Sequence, residues 1–251
     1  AELQGIDWNK LHLPPGAALS VDLCDLAVAC LAARPGDTVW VPVDPLGQFT
    51  QRLIKKQVHV LRAGSLDPAE ATDLSRLLLA LEEESTELGR LTFESQLPKQ
   101  GVSHCLVASP IGAKVDPARE SARWGIPEAG APIRPRMLAL AQESFRQETW
   151  ALAAAWAHVT CRGVFVTSQS LLFSQGQEQR VRKALLLNAP GNTVAATVHL
   201  PAGSLIGTGI QPGLLVLANE NHETIRAMDL SGRTDSGARS HQLGKDITAA
   251  D

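Results

Sequence analysis

Apolar residues at Leu23, Leu26, Ala27, Cys30 and Leu31 share one face of a helix, and Ser20 or Asp22 can cap it. Pro35 and Gly36 stop that helix after about residue 33. The run 38–43 then predicts a buried strand, followed by a loop over 44–48 and a helix to about 56. Further strands are expected over 58–61, 90–93, 104–108 and 164–167. Asp67, Pro68 and Glu70 form a helix start, an acidic cap with proline in the first position, so a helix should run to about 84. Pro, Gly and Ala fill 109–134, a predicted long loop. A long helix or helix pair follows over 135–159, then a turn at Cys161, Arg162 and Gly163, and later a helix over 177–187. Strands separated by helices imply parallel crossovers and a doubly wound, mostly parallel α/β sheet. One domain is expected over 1–230, with a polar, mobile tail over 231–251.

Composition narrows this picture without naming a task. At 251 residues, 44% hydrophobic and 20% charged, the chain can bury one large core. No apolar run nears the roughly 18–20 residues that span a bilayer, so no membrane partner is expected. Cys24, Cys30, Cys105 and Cys161 are scattered without a paired spacing, and the opening AELQGIDWNK lacks a leader pattern. A cytoplasmic location is therefore expected. No metal site is, since His104 and Cys105 are strand neighbours facing opposite sides. The net charge of −3 does not announce nucleic acid, although Arg52, Lys55 and Lys56, and Arg180, Arg182 and Lys183, form local basic clusters. Trp124, Trp150 and Trp156 read as core or loop anchors more readily than as a stacking platform. Ser168 and Ser170 have no visible partner. Gly207-Thr208-Gly209 lacks the third glycine and following helix of a dinucleotide fingerprint.

The stretch from Val194 to Asn219 is the most specific. Two β-rich runs, 194–200 and 214–217, flank a loop in which Pro201, Gly203, Gly207, Gly209, Pro212 and Gly213 cluster. It resembles the carboxyl-terminal signature of N6-adenine DNA methyltransferases, the modification subunits of type I restriction–modification systems. Arg123-Trp124-Gly125-Ile126-Pro127 is similar to that family's substrate-loop pattern. Glu178, Val181, Arg182, Leu185 and Leu186 match its helix pattern E-x-x-I-R-x-x-L-L. The resemblance covers roughly 19–230 and implies a class I S-adenosylmethionine-dependent methyltransferase fold.

What the resemblance implies for the pockets is less favourable to catalysis. The family's cofactor loop reads V-Y-D-P-A-C-G-S-G-G-F, and Val39, Pro42, Gly47 and Phe49 match it in register. Val41 replaces its acidic residue, Asp44 its cysteine, Pro45 its first glycine, Leu46 its serine and Gln48 its last glycine. Glycines let a backbone turn at positive φ and approach a ligand closely, whereas proline fixes φ and removes a donor. The next strand ends in Arg62 where the family places an acidic residue for the ribose, and Glu94 stands near its adenine-side aspartate. In the catalytic loop Ala108 and Pro110 match, but Ser109 replaces the amide, Ile111 the second proline and Gly112 the aromatic ring. Base stacking is worth roughly 1–3 kcal/mol, which glycine cannot supply.

The resemblance therefore implies Ser109 and Pro110 as vestigial catalytic positions. Pro42, Asp44, Gly47 and Glu94 would hold S-adenosylmethionine if a cofactor is retained, and the substitutions predict that none is. The leading expectation is a degenerate family member that binds or regulates, with DNA or another restriction–modification subunit as partner. An active methyltransferase with altered motifs and substrate, using Asp44, Gly47 and Glu94, stays open. So does recruitment of the pocket for another nucleotide-like ligand.

Overall fold

The structure, a computed structural model, describes residues 18–44, 46–63, 91–94, 96–126, 132–187 and 191–232. The helix expected over 67–84, Pro45 and the tail beyond 232 lie outside the described residues. The first helix, α1 (Val21–Leu31), is capped by Ser20, whose Oγ accepts the Leu23 N–H at 3.2 Å. Strand β1 (Thr38–Trp40) follows, then α2 (Gln48–Lys55), β2 (His59–Ala63), β3 (Leu91–Glu94) and β4 (Val102–Ala108). Helices α3 (Pro117–Arg123), α4 (Pro135–Gln142) and α5 (Gln147–Trp156) lead into β5 (Val159–Ser168). The chain continues through α6 (Ser170–Phe173), α7 (Gln177–Leu187), β6 (Val194–His199), β7 (Pro212–Ala218) and β8 (Arg226–Asp229).

The eight strands form one sheet in the order β3-β2-β1-β4-β5-β7-β6-β8. Pairs from β3 through β5 are parallel, β7 runs antiparallel between β5 and β6, and β8 pairs parallel with β6. This is the doubly wound, mostly parallel sheet expected.

Several details differ from the expectation, and β1 stops at Trp40 instead of running to 43. Residues 161–163 are strand interior rather than a turn, because β5 is held by ladders on both sides. Gly163 is there for packing: a Cβ would lie 2.7 Å from the Phe165 ring and 3.0 Å from Cys105 Sγ. The region 109–134 contains α3, started by Asp116, whose Oδ1 accepts from Ala118 N at 3.1 Å and Arg119 N at 3.3 Å. Of the two forms expected over 135–159, a long helix or a helix pair, the structure has the pair, α4 and α5. Strand β8 is unforeshadowed, since Arg-Ala-Met-Asp has no apolar alternation.

The sheet is buried on both faces. On one side α1 and α2 pack Leu23, Leu26, Phe49 and Leu53 against Val39, Leu106, Val164 and Val216. On the other, α4 and α5 enclose a tryptophan cluster: Trp40 meets Trp124 edge-on at 5.7 Å between centroids, and Trp124 meets Trp150 at 4.6 Å. Trp156 is buried beneath Arg134, whose guanidinium carbon lies 3.9 Å from the ring. The tryptophans are core. Arg134 Nη1 also donates to the carbonyls of Trp156 and Val159, and Nη2 to Asn219 Oδ1. Burial holds its pKa down to about 10.

Burial also lowers the pKa of His158, and of His104 despite Asp37 nearby. The unfolded chain therefore binds more protons than the folded one below the ordinary histidine value of 6.5. Stability should be full above that pH and decline on acidification. A urea titration series from pH 7.5 to about 5 should show the loss, and His158→Gln should reduce its slope.

Candidate functional site

In a sheet of this winding, ligands are met at the carboxyl ends of the strands where chain direction switches. Here that point lies between β1 and β4, with β2 and β3 on one side and β5 on the other.

The loop leaving β1 brings Asp44 back onto the start of α2. Its Oδ2 accepts from Phe49 N at 3.1 Å, Thr50 N at 2.8 Å and Thr50 Oγ1 at 2.8 Å, all buried. A carboxylate there satisfies free helix N–H groups and meets the positive end of the helix dipole. Gly47 holds the left-handed turn at φ 65° that makes this possible, and its N–H returns to the Asp44 carbonyl at 3.1 Å. Arg62, the penultimate residue of β2, donates from Nη1 to the Asp44 carbonyl oxygen at 3.3 Å. Burial lowers its pKa, opposed by the Asp44 charge. Leu46 is buried and Pro42 half-buried. Glu94, level with Ala63 at the end of β3, is exposed. Asp44, Gly47 and Arg62 are thus one cluster.

Gln48, the first residue of α2, makes a clasp. Its Nε2 donates to the Leu19 carbonyl and its Oε1 accepts the Leu19 N–H, both at 2.9 Å. Leu19 in turn bridges Leu205, with Ser20 N donating to Ser204 O and Ile206 N to Ala18 O. Residues 18–20 therefore run as a strap between α2 and the 201–206 loop.

At the end of β4, Ser109 is 6% exposed and its hydroxyl has no hydrogen-bond partner. Pro110 is half-buried beside it. Gly112 sits at φ +76° in open space, so no ring projects from it. Ser109 lines a cavity of about 60 Å³ with Leu19, Ala108, Ile111, Val166, Leu205, Thr208 and Ile210.

A buried polar network at the end of β5 escaped sequence reasoning. Glu148, at the start of α5, accepts from Ser168 N and Ser168 Oγ, both at 2.9 Å. Ser168 and Ser170 share a 2.5 Å hydrogen bond, and Arg146 reaches Ser170 Oγ and Glu178 Oε1 at 3.4 Å each. Its signal was a lone carboxylate in the otherwise apolar helix ETWALAAAW. The helix pattern of α7 proves architectural too: Arg182 ties down α6 by donating to the carbonyls of Leu171 and Ser174. The Gly207–Gly209 segment leads into β7, not a helix.

Among the described residues no group of three or more His, Cys, Asp or Glu could hold a metal, and no helix is long and apolar enough to cross a membrane.

The N-6 DNA Methylase family model matches residues 133–246. No curated protein matches the chain by sequence. Among solved structures, the type I restriction-modification methyltransferase subunit of Streptococcus thermophilus superposes with a TM-score of 0.69 at 15% identity, over 95% of this chain and 53% of that one. A chain from Listeria monocytogenes assigned as a class I S-adenosylmethionine-dependent methyltransferase gives 0.61 at 13% identity, over 98% and 72%. The DrdV–DNA complex gives 0.55 at 10% identity, over 90% and 29%. The chain spans about half the length of the type I subunit it resembles. It is thus similar to the N6-adenine DNA methyltransferases in sequence over 133–246, and its described residues have the α/β fold of class I methyltransferases.

Proposed function

We propose that this chain is an N6-adenine DNA methyltransferase-like domain, continuous over 1–230, that acts by binding and not by methyl transfer. DNA or another restriction–modification subunit is the partner, and the setting is cytoplasmic. The observation that carries this reading is the engagement of Asp44. Its carboxylate is spent on three donors of α2, with the Arg62 guanidinium beside it. A cofactor with a cationic sulfonium and ribose hydroxyls finds a cation where the family offers an acid. The residues of this corner do not fit S-adenosylmethionine, and no catalytic step is derived through it. At the catalytic loop, Gly112 offers no ring to stack on a base.

The competing reading, an active enzyme with a shifted loop, is favoured by Glu94, which is exposed at the carboxyl end of β3. The two separate cleanly. Calorimetry with S-adenosylmethionine should register no heat of binding at micromolar protein, and tritiated methyl groups should not enter DNA. Micromolar affinity removes the cofactor half of the reading, and labelled DNA whose label is lost in Glu94→Ala establishes the enzyme instead.

A further inference from the structure

Among the described residues, Phe145 and Phe173 are the most exposed aromatic side chains, at 74% and 66%. Both belong to one helix junction. Phe173 ends α6, and the Phe145 N–H donates to Oε1 of Gln177, the first residue of α7, at 3.3 Å. Apolar residues scattered singly on a surface need no explanation, but two phenylalanines gathered among arginines mark an interaction surface. The charges around them decide what binds. Arg146 faces Glu178 Oε1 at 3.4 Å, and Arg180 is paired with Glu143. One surplus charge, the exposed Lys114 across from Arg146, is too few for a phosphate backbone. An aromatic centre with both signs at its rim fits a protein instead. Arg180 and Glu143 are each about half exposed, 55% and 48%, so both can be shared with a partner. A copy of this chain related by a twofold axis supplies the complement: two more phenylalanines, an arginine for Glu143 and a carboxylate for Arg180.

We infer that this patch joins two copies of the chain as an isologous dimer. The phenylalanines of both copies pack at its centre, and Arg180 of each copy reaches Glu143 of the other. Size sets the strength. Each phenylalanine carries about 200 Å² of surface, so the two present roughly 280 Å² per protomer. A standard interface buries about 800 Å² per partner, nearly three times as much. The dimer is therefore weak, with a Kd on the order of 10–100 μM. It does not depend on whether the domain transfers methyl groups.

The test is sedimentation equilibrium of the full chain from about 2 to 200 μM, over which monomer should give way to dimer. Phe145→Ser and Phe173→Ser should each weaken association by about tenfold or more. Glu143→Arg and Arg180→Glu should each abolish self-association, because like charges then meet across the axis. Mixing those two variants should restore a dimer, since each again finds its opposite charge in the other. All four side chains are exposed, so the substitutions leave the fold intact. A chain still monomeric at about 200 μM overturns the inference. So does a dimer insensitive to the phenylalanine substitutions, or a mixture that fails to associate. Phenylalanine variants that lose DNA binding in a chain that never dimerises also overturn it, and give the patch to nucleic acid. In each case the non-catalytic reading stands, since it is decided by S-adenosylmethionine binding and methyl transfer.

Discussion

Asp44→Ala should destabilise the fold by about 3–5 kcal/mol, because it strands two buried backbone N–H groups and the Thr50 hydroxyl while leaving Arg62 without its neighbouring charge. For a domain of this size that corresponds to a fall in Tm on the order of 10 °C, measurable by calorimetry. Asp44→Asn is the informative companion. Its amide oxygen still accepts from the α2 N–H groups, so it should lose less than half as much. The outcome also bears on function. If Asp44 were held for a cofactor, its removal would leave the folded protein intact and change only ligand affinity. A stability loss in the absence of any ligand places the carboxylate in the architecture.

Trp150→Ala should cost a similar amount, about 3–5 kcal/mol, the range for emptying a large aromatic site in a core that cannot collapse. Trp150 is fully buried, meets Trp124 edge-on, and through it reaches Trp40 on β1. Its truncation therefore loosens the seam between α5 and the strand that leads to the Asp44 loop. The indole Nε1 has no partner, so Trp150→Phe discards an unpaired donor while keeping an aromatic surface against Trp124. Chemical denaturation should show the alanine variant with a clearly lower midpoint and the phenylalanine variant within about 1.5 kcal/mol of the parent.

Much of the architecture was legible because it follows periodicity. The α1 stripe, the apolar runs of β1 and β4 and the span of α7 all came from spacing alone. The failures have physical causes. Gly163 reads as a turn residue, yet it sits mid-strand because the Phe165 ring and Cys105 leave no room for a Cβ. Asp116-Pro117 carries the same start signal as Asp67-Pro68, but surrounding Pro, Gly and Ala outweighed it. Strand β8 has its place through pairing with β6, which local sequence does not encode. At the site, the strand ends bearing Asp44, Arg62 and Ser109 were locatable from sequence. Their hydrogen bonds were not, and the turning of Asp44 onto α2 depends on a left-handed Gly47 that only three dimensions reveal. Ser168 and Ser170 found partners in Glu148 and Arg146, well removed along the chain.

The position of β7 has a consequence for synthesis on the ribosome. It is buried along its whole length between β5 and β6, yet it is among the last strands to be translated. Until residue 218 has emerged, the ten-residue β5 presents an open row of main-chain donors and acceptors. An edge that long invites pairing with another nascent chain. Polysomes making this protein should therefore depend on chaperone cover late in elongation.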